Sequence, residues 1–304
     1  MKVVYFGGGE VSREVLKNLL SFVKPILVVT KPDAPKGRGK RLQATPVKEL
    51  ALEVGIEVLT PDSLTDEDFL KKLKEIDPDF IMLADYGRKL PKEVLEIPRL
   101  FSLCFHPSLL PKYRGASPIE RAFFNCEDIL GLTVFVMTER IDEGKIVLQD
   151  KIPINPCEET KGDVIPKVAK IGAEMLYRSA LMILEGFRGF KEQVGEVSYA
   201  PKIKPEEEFV RPEEGVKRTV GKINGLSPKP GARYIWKGKN LKILHARPIF
   251  HKRECEIGEI FYDKRERKLI LGCSDGCVEI LKIQVEGRRV ITGEEFARGY
   301  LRQP

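Results

Sequence analysis

Tryptophan occurs once in these 304 residues, histidine three times, and asparagine and glutamine only five times each. So few histidines confine imidazole chemistry to a handful of places, and scarce side-chain amides beside 32% charged residues fit a heat-adapted source. No apolar run is long enough to cross a bilayer as a helix. The start, Met1 to Phe6, carries no charged leader and no small-residue cleavage site, so a cytoplasmic protein is expected. The six cysteines lie far apart except Cys273 and Cys277, which argues against a secreted disulfide framework. That one pair has no matching histidine and no second pair, so zinc is not expected there.

What is abundant is charge. The net value of +7 and an isoelectric point near 8.9 suggest a polyanionic partner, although lysines spread over a solvated surface give the same sum. At 304 residues the chain has room for two domains, and 42% hydrophobic residues can fill their cores.

Lys2 to Phe6 is a short apolar run, followed by Gly7, Gly8 and Gly9 and by a helical pattern through Val11, Val15, Leu16, Leu19 and Leu20. This is a strand, a glycine turn and a helix, the opening of an open α/β sheet. A dinucleotide fold would want glycine where Ser12 stands and an acid after the second strand, where Thr30 and Lys31 stand, so a nicotinamide dehydrogenase is disfavoured. Residues 31 to 41 hold Lys31, Lys36, Arg38, Lys40 and Arg41 against the single acid Asp33. They read as a basic loop beyond the carboxyl edge of the sheet, where α/β sites lie. Thr45 and Pro46 then open a helix, and further units follow through strands at Ile56 to Leu59 and Phe80 to Ala84.

The stretch from Cys104 to Ile119 organises the chain. If a strand ends near Phe105, Cys104 and His106, two apart, leave the same face and set a thiol beside an imidazole. Pro107 and Pro111 cannot extend a sheet, so the chain leaves as a rigid extended loop that shapes Ser108, Leu109, Leu110 and Pro111 for binding. A lone strand-end histidine is otherwise a satisfied structural residue. Downstream, Asp142 sits in a turn after the apolar strand Leu132 to Met137, and a helix is predicted from about Asp163 to Glu185.

Cys104, His106, the run Ser108 to Pro111, Arg114 with Gly115, and Pro118 with Ile119 together resemble the signature of the folate-dependent formyltransferases, where an Asn stands at the position of Cys104. The resemblance covers nearly the whole chain. Its basic loop is similar to the insertion found in the branch that acts on methionyl-tRNA. It implies an open, mostly parallel Rossmann-like sheet domain, residues 1 to 189, then a linker, 190 to 208, and an OB-like C-terminal β-barrel, 209 to 304, that binds tRNA. It implies transfer of a formyl group from 10-formyltetrahydrofolate to the initiator methionyl-tRNA by a monomer that needs no metal. His106, Asp142 and Cys104 would stand at the catalytic centre, with Asp142 the partner of His106. Ser108, Leu109, Leu110 and Pro111 would line the folate site, with Arg88 and Leu90 in the loop that holds the pterin. Lys36, Arg38, Lys40 and Arg41 would meet the tRNA.

Residues alone keep other readings open. From Lys217 to Arg253 there are eleven Lys or Arg and no acid, interleaved with Tyr234 and Trp236. Short strands spaced near ten residues follow, which suits a small basic barrel on a nucleic-acid backbone. A formyltransferase for an amino sugar, or a folate hydrolase relative, would share His106 and Asp142 but lack the basic loop. A non-enzymatic RNA-binding protein would have no use for either residue.

Neutralising Arg38 and Lys40 together should raise the apparent tRNA requirement and leave folate binding nearly unchanged, because the loop is expected to meet phosphate and not pterin. Steady-state formylation against each ligand measures this, and equal losses for both would point to misfolding instead.

Overall fold

A computed structural model describes residues 1–36, 41–249 and 255–301, without the side chains of Lys36 and Arg41. In chain order the first elements are β1 (Val3–Gly7), α1 (Glu10–Leu19), β2 (Leu27–Val29) and a two-stranded ribbon, β3 (Ala34–Lys36) with β4 (Arg41–Gln43). Next come α2 (Pro46–Glu53), β5 (Glu57–Leu59), α3 (Glu67–Ile76), β6 (Phe80–Ala84), α4 (Lys92–Leu95) and β7 (Phe101–His106). After α5 (Pro118–Phe124), the strands β8 (Ile129–Val136) and β9 (Ile146–Pro153) lead into the long α6 (Lys161–Leu184).

Seven strands form one sheet in the order β5-β2-β1-β6-β7-β8-β9. The five from β5 to β7 run parallel, and β8 turns back antiparallel on β7. Strand order reverses at β1, so β1 and β6 flank the switch point at which open α/β sheets bind ligands. Alternation along β1 separates the two faces. Val4 and Phe6 join Leu27, Val29, Ile81 and the α3 residues Phe69 and Leu73 in one cluster. Tyr5, pointing the other way, bonds through its hydroxyl to Ser12 of α1. The expected Thr45 cap is present, its hydroxyl accepting from the Lys48 amide, and the Asp66 carboxylate caps α3 by accepting from the Phe69 amide.

The second half contributes α7 (Val216–Gly225), β10 (Ala232–Trp236), β11 (Lys239–Ile249), β12 (Ile260–Asp263), β13 (Lys268–Cys273), β14 (Gly276–Val285), β15 (Val290–Thr292) and α8 (Gly293–Tyr300). The small β domain expected from the turn spacing is a six-stranded antiparallel sheet, β10-β11-β14-β13-β12, with β15 joined to β14. Val220 and Ile223 of α7, Phe296 of α8 and the inward residues of the sheet share one core. β10 pairs along its length with β11, and its Trp236 meets Phe296 of α8 edge to face at 5.3 Å.

Packing divides the chain less linearly than cuts at 189 and 209. One compact unit holds residues 1–118, 131–152 and 165–201, and the other 119–130, 153–164 and 202–304. Residues 190 to 201, read as linker, belong to the first unit. Their backbone groups bond to Ile146, Arg114 and Ser117 in place of a regular partner strand, which is why no periodicity betrays them.

Cys255 and Cys277 form a disulfide across 22 residues of sequence, while the other four cysteines are free. Pairing is decided by the sheet, because Cys277 lies opposite Gly272 and a Cβ on Gly272 would come within 2.9 Å of that of Cys255. Chain entropy assigns such a loop about 3 kcal/mol of stabilisation. Cys255→Ser should therefore lower the free energy of unfolding of oxidised protein by about that amount in a denaturant titration. The difference should vanish when the parent protein is reduced.

Candidate active site

His106 ends β7 at the carboxyl edge of the parallel strands, 5% exposed. Its Nε2 lies 2.9 Å from the carbonyl of Tyr113. A carbonyl only accepts, so Nε2 carries the hydrogen and Nδ1 is the nitrogen left for chemistry. Nδ1 faces Oδ2 of Asp142 at 3.8 Å, and the same oxygen accepts the Gly115 amide at 2.7 Å. The separation is too long for a hydrogen bond but suits an ion pair with a protonated ring. Asp142 itself has φ of 55° in the turn between β8 and β9, the left-handed region that Asp adopts more readily than most residues with a Cβ.

Cys104, on the His106 side of β7, packs with Leu110, Phe135, Leu83 and Met137. Its one described bond runs to the Phe105 carbonyl at 3.6 Å, a weak thiol contact. Burial, and after it the Asp142 carboxylate, push the Cys104 thiol well above the usual thiol range. In this setting the sulfur is held as the neutral thiol.

The loop after His106 is held down firmly. The Ser108 hydroxyl donates to the Lys112 carbonyl, Thr133 Oγ1 donates to the Ser108 carbonyl and accepts from the Leu110 amide, and Gln149 bonds to both the Leu110 carbonyl and Thr133. It lies flat because Gly131 leaves room: a Cβ there would come within 2.1 Å of the Leu109 nitrogen. Leu110 is buried and Leu109 is 42% exposed, so Leu109 is the apolar side chain this loop presents. Thr133, Gln149 and Gly131 were not singled out from the sequence, and the scarcity of glutamine was the one available signal.

Arg88 donates to the carbonyls of Pro61 and Asp62, and Leu90 is buried beside Phe6 and Tyr86. The Asp85 to Leu90 loop therefore presents backbone, with Asp85 and Gly87 in left-handed conformations. The amides of Gly8 and Gly9 donate to the Asp85 carbonyl, so the glycine turn is occupied by the protein's own chain and does not cradle a pyrophosphate. Lys36 and Arg41 pair across the end of the ribbon through their backbones. Arg38 and Lys40, and the side chains of all four basic candidates, lie outside the described residues. Among the described residues no group of three or more His, Cys, Asp or Glu is placed to hold a metal ion.

Residues 1–180 match the model of the formyl transferase family and residues 202–301 that of its C-terminal domain. The chain belongs to the formyl transferase family. It is 37% identical over 298 residues to a methionyl-tRNA formyltransferase of Thermodesulfovibrio yellowstonii, covering 98% of this chain and 95% of that one. Its fold is that of a methionyl-tRNA formyltransferase from Clostridium thermocellum, at 17% identity and a TM-score of 0.56 over 83% of this chain and 95% of that one. HypX from Aquifex aeolicus, solved with tetrahydrofolic acid, superposes with a TM-score of 0.66 at 20% identity over 99% of this chain. There the chain spans about half of the neighbour, 48% of its length. His106, Asp142 and the two loops that bring them together form the candidate site at this carboxyl edge.

With its sulfur enclosed, Cys104 should stay unlabelled by N-ethylmaleimide in the native protein, whereas the half-buried Cys126 and Cys157 are labelled first. Peptide mapping after a timed exposure decides this. Early label on Cys104 would place its sulfur in reach of solvent.

Proposed function

We propose that the chain moves the formyl group of 10-formyltetrahydrofolate to the amino group of methionine on the initiator tRNA, acting as a cytoplasmic monomer. Residues 1 to 189 would carry the chemistry, and 209 to 304 would hold the tRNA. The observation that carries the reading is the convergence of His106 Nδ1 and Asp142 at the carboxyl edge, in a chain similar to methionyl-tRNA formyltransferases over almost its full length.

Transfer of an acyl group to an amine develops negative charge on the carbonyl oxygen and positive charge on the attacking nitrogen. His106 takes up the amine proton at Nδ1, since Nε2 is tied to Tyr113, and Asp142 stabilises the charged ring. The protonated Nδ1 is then the donor for the oxyanion and the proton source for the departing amine. Cys104 fills space beside them, and its buried thiol does not serve as a covalent carrier.

The folate donor supplies an activated formyl group, and the residues present suit its shape. The Asp85 to Leu90 loop would meet the ring through backbone, and Leu109, 42% exposed, offers apolar cover. In the C-terminal unit Lys217, Arg218, Lys229, Arg233, Lys237 and Lys239 are exposed, with Lys237 over the ring of Trp236 and Arg233 over that of Phe209. Such a surface supports contact with a phosphate backbone.

The assay is formyl transfer to aminoacylated initiator tRNA, with elongator methionyl-tRNA as control. His106→Ala and Asp142→Asn should each lower turnover about a hundredfold or more, and Cys104→Ala should cost little. Near-normal turnover without His106 would remove it from the mechanism. A formyl adduct on Cys104, found by weighing protein incubated with the donor alone, would make this a thiol enzyme.

A further inference from the structure

Residues 191 to 197 form an exposed strip, with Val194 84% and Val197 42% accessible, and within it the side chain of Gln193 is turned inward. Its amide nitrogen donates to the carbonyls of Asp142 at 2.8 Å and Gly144 at 2.9 Å. Its amide oxygen accepts from Arg114 Nε at 3.1 Å and from a terminal Arg114 nitrogen at 2.8 Å. All four hydrogen-bonding capacities of the amide are thus used, and every one is spent on the two loops that meet at His106. Arg114 reaches in addition to Glu143 at 3.3 Å, in the middle of the same turn.

We propose that Gln193 is a positioning residue that fixes the Asp142 carboxylate against His106. Asp142 sits in its turn in the left-handed conformation, so where its carboxylate points depends on what holds that turn. Gly144 is pressed onto the end of β8, where a Cβ would lie 1.7 Å from the Val136 carbonyl, so the turn is anchored there on one side. On the other side the described anchors are Gln193, the Gly115 amide and the Arg114 ion pair, and Gln193 alone binds both loops through one rigid group. A carboxylate at position 193 could still accept from Arg114 but would set negative oxygen against the two carbonyls. Glutamate is therefore expected to fail where glutamine works.

The inference rests on reading Asp142 as the partner of His106, and its test separates the two ideas. The amide of Gly115, bonded to Asp142 Oδ2, reports the carboxylate's position without any turnover. In full-length protein, Gln193→Ala and Gln193→Glu should shift the Gly115 amide proton resonance upfield and speed its exchange about tenfold, in the direction produced by Asp142→Ala. Turnover should fall about tenfold with the folate KM within about twofold, and the loss should not add to that of Asp142→Asn. An unmoved Gly115 amide in both variants, or losses that add in full to those of Asp142→Asn, would overturn the proposal. A moved amide with undiminished turnover would support Gln193 as the positioner and instead count against the catalytic reading of Asp142.

Discussion

One carboxylate oxygen ties the candidate site together. Oδ2 of Asp142 accepts the Gly115 amide and faces Nδ1 of His106, so a single atom joins the turn after β8 to the loop after β7. The bonding partner is a backbone dipole and not a full cation. The nearby guanidinium of Arg114 is directed to Glu143 and Gln193 instead. The imidazole of His106 is thus the group that can carry positive charge described against this Asp142 oxygen.

That arrangement needs a ring that cannot turn. His106 is fixed at Nε2 by the Tyr113 carbonyl, and Tyr113 in turn donates its amide to the Ser198 hydroxyl. Strand, loop and the segment near residue 198 therefore set the ring orientation jointly. Below the ring, Cys104, Leu110 and Phe135 make the floor apolar, which strengthens any charge interaction at the edge and keeps the thiol neutral.

The C-terminal unit shows the opposite economy of charge. Several basic residues of the acid-free stretch are already engaged, Lys222 with the Phe209 carbonyl and Glu214, Lys242 with the Pro230 carbonyl, and Arg247 with Glu279. Three of the exposed ones, Arg233, Lys237 and Lys239, sit over the rings of Phe209, Trp236 and Tyr300. Net charge by itself could not distinguish the two groups.

Local chemistry decided much of this protein in advance. Short apolar runs, the glycine turn and the Thr45 cap marked β1, β6, β7 and α2, because strands and helix starts are specified by neighbours in sequence. The Cys104 to Ile119 motif likewise announced a binding loop at a strand end, since prolines at 107 and 111 leave no regular alternative. What only the tertiary structure decided are the contacts between distant segments. Asp142 and His106 are 36 residues apart, Gln193 reaches across 51 residues to the Asp142 carbonyl and 79 to Arg114, and Cys255 meets Cys277 across 22. Such pairings depend on which strand lies beside which and on the few places where a missing Cβ lets two backbones touch. No local pattern encodes either, and a glutamine in an exposed, aperiodic strip looks like solvent-facing chain until the fold turns it inward.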